Sequence, residues 1–144
     1  MELGFPISEP LFLFFYCDVT LLVRKNETLF RSDQLSAFFN EANTPWTELG
    51  DGLRRKIVGH TPELMSVLME FDEGAIGTVH AHDAHDQIGF VICGSFEIEV
   101  EGKTQILKPG DAFIAPRNHY HGARALEQGS RLLDQFSPRR DDYL

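Results

Sequence analysis

The sequence predicts an all-β protein, a barrel or sandwich of short strands preceded by an N-terminal extension. Three observations predict it. Twelve glycines and seven prolines, many at regular intervals, cut 144 residues into short segments. Apolar and polar residues alternate inside those segments. The alternation is clearest from Phe96 to Glu101, where Phe96, Ile98 and Val100 read as facing in and Glu97, Glu99 and Glu101 as facing out. A hydrophobic content of 42% is enough for a core, and the length suits one domain.

Residues 1–43 form the extension. The apolar run from Leu11 to Val23 reads as one or two strands. It is too short for a membrane span of about 20 residues and contains Asp18. The residues ahead of it carry Glu2 and Glu9 and no Lys or Arg, the wrong charge for a signal peptide. A soluble, cytoplasmic protein is expected, with no membrane partner. From Ser32, the residues Leu35, Phe38, Phe39 and Ala42 fit the stripe of a short helix, and Ala37–Asn40 reads equally as a strand. Pro45 ends the segment either way.

Residues 44–144 form the barrel domain. Its expected strands are Leu53–Val58, Leu64–Phe71, Thr78–His82, Gln87–Cys93, Phe96–Val100, Thr104–Lys108, Ala112–Ala115, His121–Leu126 and Arg131–Phe136. Turns fall at Asp72–Gly74, Gly94–Ser95, Gly102–Lys103, Pro109–Asp111 and Gln128–Gly129. In the first strand Leu53, Arg55 and Ile57 share one face, and Arg54, Lys56 and Val58 the other. In the last, Leu132, Asp134 and Phe136 share a face that should point inward.

A formal net charge of -9 argues against nucleic acid and against anionic membrane surfaces. An anionic small molecule would need local arginines or a metal to overcome that field. The two cysteines, Cys17 and Cys93, lie in separate apolar runs, as buried thiols in a reducing compartment do.

The chemistry concentrates in GAIGTVHAHDAHDQIGFVICG, Gly74 to Gly94. On a strand, His80 and His82 would point to the same face, and two imidazoles there can grip one divalent metal. His85 reads as an exposed or supporting loop residue, His60 as loop, and His119 as a neighbour of His121.

Two spacings stand out. Gly74 is followed by His80, His82, Gln87 and Gly94, and Gly110 by Pro116 and His121. They resemble the two signature motifs of the cupin superfamily, with Gln87 where a glutamate is usual, Asn118 for a glycine and Ala125 for an asparagine. The resemblance implies a cupin jelly-roll barrel, a double-stranded β-helix. It also implies that His80, His82, Gln87 and His121 bind one divalent transition metal, Ni, Zn, Fe or Mn. A neutral amide in place of glutamate leaves a dication at full charge. That suits an anionic substrate and fits metal redox chemistry less well.

PWTELGDGLRRKIVGH, HAHDAHDQ, KPGDAFIAP and LLDQFSPRRDDYL together resemble the KdgF-type cupins of pectin and alginate degradation, in collinear order from Pro45 to Leu144. Asp86 departs from that family's usual glutamate. The resemblance implies conversion of 4,5-unsaturated monouronates, left by polysaccharide lyases, to 5-keto-4-deoxyuronate, and a homodimer. It also implies catalytic roles for Asp134, Phe136 and Arg140. The chemistry needs protonation at C4 and release of the ring oxygen, so a carboxyl in an apolar barrel is a suitable acid–base. Arg140 would clamp the substrate carboxylate in bidentate fashion, with Arg55 as a further carboxylate partner and Phe136 as a wall. Two other functions compete: a cupin dioxygenase, and a cupin that binds a uronate without turning it over.

Overall fold

In the computed structural model, residues 37–144 are described. The strands expected within Leu11–Val23 and the start of the expected helix at Ser32 lie outside them, as does most of the 1–43 extension. The part of that extension within view is neither helix stripe nor strand. Residues 37–40 are irregular, and Glu41–Asn43 is a single 3-10 turn. The amides of Asn43 and Thr44 both donate to the Asn40 carbonyl, which closes the chain locally.

Ten strands follow: β1 Thr47–Gly50, β2 Leu53–His60, β3 Met65–Phe71, β4 Ile76–His80, β5 Asp86–Cys93, β6 Phe96–Val100, β7 Lys103–Leu107, β8 Ala112–Ala115, β9 His121–Ala125 and β10 Ser130–Ser137. They build a six-stranded sheet in the order β1-β2-β3-β10-β5-β8 and a four-stranded sheet in the order β4-β9-β6-β7. Every pairing is antiparallel. Inward residues of the two sheets make one core, from Met65, Val67, Val91 and Leu132 on one side to Phe96 and Ile98 on the other. Phe71 and Phe96 join the sheets edge to face, 5.2 Å apart. Among the described residues, no helix is long and apolar enough to cross a membrane.

The alternation is where the sequence put it. In β10 Leu132, Asp134 and Phe136 are buried, and the residues between them are not. Two features differ. β1 is exposed along its whole length, so it carries no buried-face pattern to read. It brings Trp46 under three cations, with Arg54, Lys56 and Arg131 at 4.7, 4.4 and 5.6 Å from the ring centroid. Lys56 therefore sits on the outer face yet is buried, its ammonium donating to the Glu41 carbonyl at 2.7 Å. His60, expected in a loop, is the last residue of β2.

Gly94 ends β5 with φ 73, in the left-handed region. A Cβ there would lie 2.7 Å from Ser130 Cβ and 2.8 Å from Ser130 Cα, against backbone that cannot swing aside. Gly94→Ala should therefore lower stability by about 2–4 kcal/mol, read from the denaturant midpoint with an unchanged slope.

Candidate metal centre and its pocket

Three histidines converge at one end of the barrel. The potential ligand atoms of His80, His82 and His121 all lie within 4.8 Å of one another. His80 and His121 are direct cross-strand partners on β4 and β9. His82 arrives differently from the expectation. β4 stops at His80, after a register break between Gly77 and His80, so the two imidazoles do not share a strand face. The loop carries His82 back toward the barrel, where its carbonyl accepts the Asn118 amide at 2.7 Å. Asn118 holds φ 63. That backbone explains why glycine is usual there and why asparagine, which tolerates the left-handed region, can replace it.

Backbone carbonyls set the tautomers. His80 Nδ1 lies 2.7 Å from the Thr78 carbonyl and His121 Nδ1 3.0 Å from the His119 carbonyl, so each Nδ1 carries the proton. Each Nε2 then keeps its lone pair for the centre. Gln87, on β5, completes the cluster. Its Oε1 is 3.0 Å from both His82 Nε2 and His121 Nε2. Burial, then the charge of Arg140 and His80, lowers the His82 pKa to about 4. Burial also lowers that of His121. Both rings are thus neutral at pH 7, the form that coordinates. Three imidazole nitrogens and an amide oxygen are a donor set that fits a divalent transition metal.

The other end of the Gln87 amide points at the second element of the site. Nε2 donates to Asp134 Oδ1 at 2.9 Å. Asp134 is buried on β10, where burial pushes its pKa up to about 7 against the opposing pull of Gln87 and Arg140. An amide can face a metal site with oxygen and a carboxylate with nitrogen; a glutamate cannot. Gln87→Glu should set two carboxylates about 3 Å apart, strengthen metal binding, and lower turnover by about tenfold or more, with the pH–rate profile displaced to higher pH. Parallel metal titration and pH–rate measurements check both halves.

His80, His82, Gln87, His121, Asp134 and Phe136 all line one cavity of about 170 Å³. That is the scale of a single small ring. Gly89 makes room for Phe113, which lines the cavity: a Cβ there would meet the Phe113 ring at 2.5–2.9 Å, and that ring stands 6.0 Å from that of His121. A larger recess of about 330 Å³ beside β6 and β7 contains none of the histidines.

The remaining expected residues, Arg140 and Arg55, reach the cavity through Tyr143, which lines it. Arg140 is not an open clamp. Its Nε and NH2 donate to the two oxygens of Asp142, at 2.9 and 2.7 Å. Its NH1 is 3.2 Å from His82 Nδ1 and 3.4 Å from Nε2. Such near-equal distances put NH1 over the ring face and not on either lone pair. Arg55 stacks on Tyr143, its guanidinium 3.8 Å from the ring centroid. The same ring carries Arg140 at 4.3 Å. Tyr143 lines the cavity and was missed in the sequence. Nothing in its local pattern distinguished it from the polar tail around it. Of the other histidines, His85 bonds the Arg139 carbonyl at 3.1 Å, and His119 is exposed on the carbonyl of Arg117.

A cupin domain model matches residues 67–134. The pectin degradation protein KdgF of Dickeya dadantii is 53% identical over 107 residues, which is 74% of this chain and 97% of that protein. Among solved structures, KdgF from a Halomonas species superposes with a TM-score of 0.75 at 53% identity, covering 76% of this chain and all of the other. An RmlC-like cupin from Shewanella frigidimarina gives 0.73 at 40% identity, over 77% and 98% of the two chains.

Proposed function

The chain belongs to the KdgF family of cupin-domain proteins, and from that premise we propose that it opens the ring of 4,5-unsaturated monouronates to give 5-keto-4-deoxyuronate. The reaction is an isomerisation. The C1 hydroxyl loses its proton, C1 becomes a carbonyl, and the C1–O5 bond breaks. The electron pair moves through O5 to an enol, and C4 takes up a proton as C5 becomes a ketone. No water or oxidant is consumed.

The observation that carries the reading is the Gln87 amide, with oxygen among the imidazoles and nitrogen 2.9 Å from a buried carboxyl. A metal held by His80, His82, Gln87 and His121 would act as a Lewis acid toward a substrate oxygen. Asp134, with a pKa raised to about 7, is protonated often enough to supply a proton and basic enough to recover one. Phe136 packs 5.7 Å from the His82 ring and keeps water from that side. Among the described residues Arg55 has the Tyr143 ring as its partner and no carboxylate within ion-pair reach, which leaves it to take the substrate carboxylate.

The reading further includes a cytoplasmic homodimer acting on small anionic sugars released from pectin or alginate, with no nucleic-acid or membrane partner. The test is direct. Purified protein is given the monouronate made by a pectate or alginate lyase, and the ultraviolet absorbance of the C4=C5 bond is followed. Loss faster than the spontaneous rate is expected, and its absence refutes the reading.

A further inference from the structure

We propose that Asp142 is a positioning residue, which locks the guanidinium of Arg140 so that one nitrogen, NH1, faces the reacting end of the pocket. The inference rests on the ring-opening reading of that pocket. A free arginine fork is suited to a carboxylate. Here the fork is filled by the chain's own carboxylate, two residues further on, through the Nε–Oδ1 and NH2–Oδ2 bonds.

The turn at the end of the chain makes this possible. Asp141–Tyr143 is a 3-10 turn, with the Tyr143 amide donating to the Arg140 carbonyl at 3.1 Å and the Leu144 amide to that of Asp141 at 3.2 Å. The turn folds Asp142 back onto Arg140 and slides the Tyr143 ring against the same guanidinium. The pair is asymmetric. The Arg140 side chain is 15% exposed and that of Asp142 59%. An ion pair so open to water adds little stability; its effect is on direction. With Nε and NH2 committed, NH1 is left over the face of His82. Negative charge developing beside His82 then meets a single fixed donor nitrogen. The substrate's own carboxylate is left to Arg55, on the same Tyr143 ring.

Asp142→Ala and Asp142→Asn free the fork and leave Arg140 in place. We expect kcat to fall about tenfold with KM changed less than about twofold, and Asp142→Glu to recover part of the loss. In an Arg140→Ala background, Asp142→Ala should cost nothing further. An unchanged kcat would overturn the proposal. So would a fall in KM, which would make Asp142 a competitor of the substrate carboxylate, or a full additional loss without Arg140, which would make its role structural.

A second readout needs no substrate. The Nε–H resonance of Arg140, identified by its disappearance in Arg140→Lys, should exchange slowly with water in the wild type and fast in Asp142→Asn. Equal exchange rates would sink the lock. Inactivity on the monouronate would refute the assigned reaction and leave the lock to be judged by this measurement.

Discussion

Asp134→Asn should reduce turnover by about 10²–10⁴-fold while the protein keeps its metal. The substitution is nearly isosteric. An Asn oxygen can still accept the Gln87 amide that Asp134 Oδ1 accepts at 2.9 Å, so the metal side of Gln87 need not move. What is lost is a proton that can be given and recovered near neutral pH. Asp134 has a pKa of about 7 because the folded chain buries it. If its acid form delivers the proton to C4, wild-type activity falls on the alkaline side of that value and the limb vanishes in the variant. A dication beside Gln87 would draw the limb to lower pH. Metal analysis and a pH–rate profile on the same preparations make the check; turnover within tenfold of wild type would remove Asp134 from the chemistry.

The same carboxyl bears on stability, and the sign follows from the direction of its shift. The folded value, about 7, lies above the ordinary 3.8. Between those values the unfolded chain is ionised and the folded chain is not, so stability falls as pH rises through the window. Metal-free Asp134→Asn should therefore gain stability over metal-free wild type at pH 8, and the difference should close toward pH 4. A residue that costs stability at neutral pH and above, and activity where it is removed, is the pattern of a functional site.

Much of this was readable before any coordinates. Phe96, Ile98 and Leu132 are buried as their alternation requires, because a strand with one dry face has no other register. Asp134 could be singled out for the same reason, since it holds a buried position of β10; His80, which ends β4 exposed, and the buried Gln87 and His121 were marked by motif spacing. What was not readable depends on irregular backbone. His82 reaches the cluster by a loop held to the Asn118 amide, not by strand periodicity. The Arg140–Asp142 fork depends on a 3-10 turn in a charged stretch, two arginines followed by two aspartates, where a solvated tail is the ordinary expectation. Trp46 and β1 lie outside the barrel core, so neither leaves a buried-face pattern in the sequence.

His82→Ala should lose both metal and turnover, and this separates it from Asp134→Asn. The ring provides one of three convergent imidazoles, and two histidines with an amide oxygen are a poor cage for an ion that favours four or more donors. Affinity should fall by at least about 100-fold, with activity following occupancy. His85 does not refill the site: its ring stands 6.1 Å from that of His82, and its Nε2 is engaged by the Arg139 carbonyl. The variant also tests why His82 is neutral. Burial and the adjoining Arg140 and His80 hold its pKa at about 4, below the ordinary 6.5. Stability from that neutral ring is present above 6.5 and is lost as pH falls toward 4, because there the unfolded chain takes up a proton that the folded chain refuses. Metal-free wild type should thus lose stability across that window more steeply than metal-free His82→Ala. Wild-type metal occupancy in the variant, measured by elemental analysis after dialysis, would overturn the ligand assignment, and with it the reason for Gln87 to face the cluster with its oxygen.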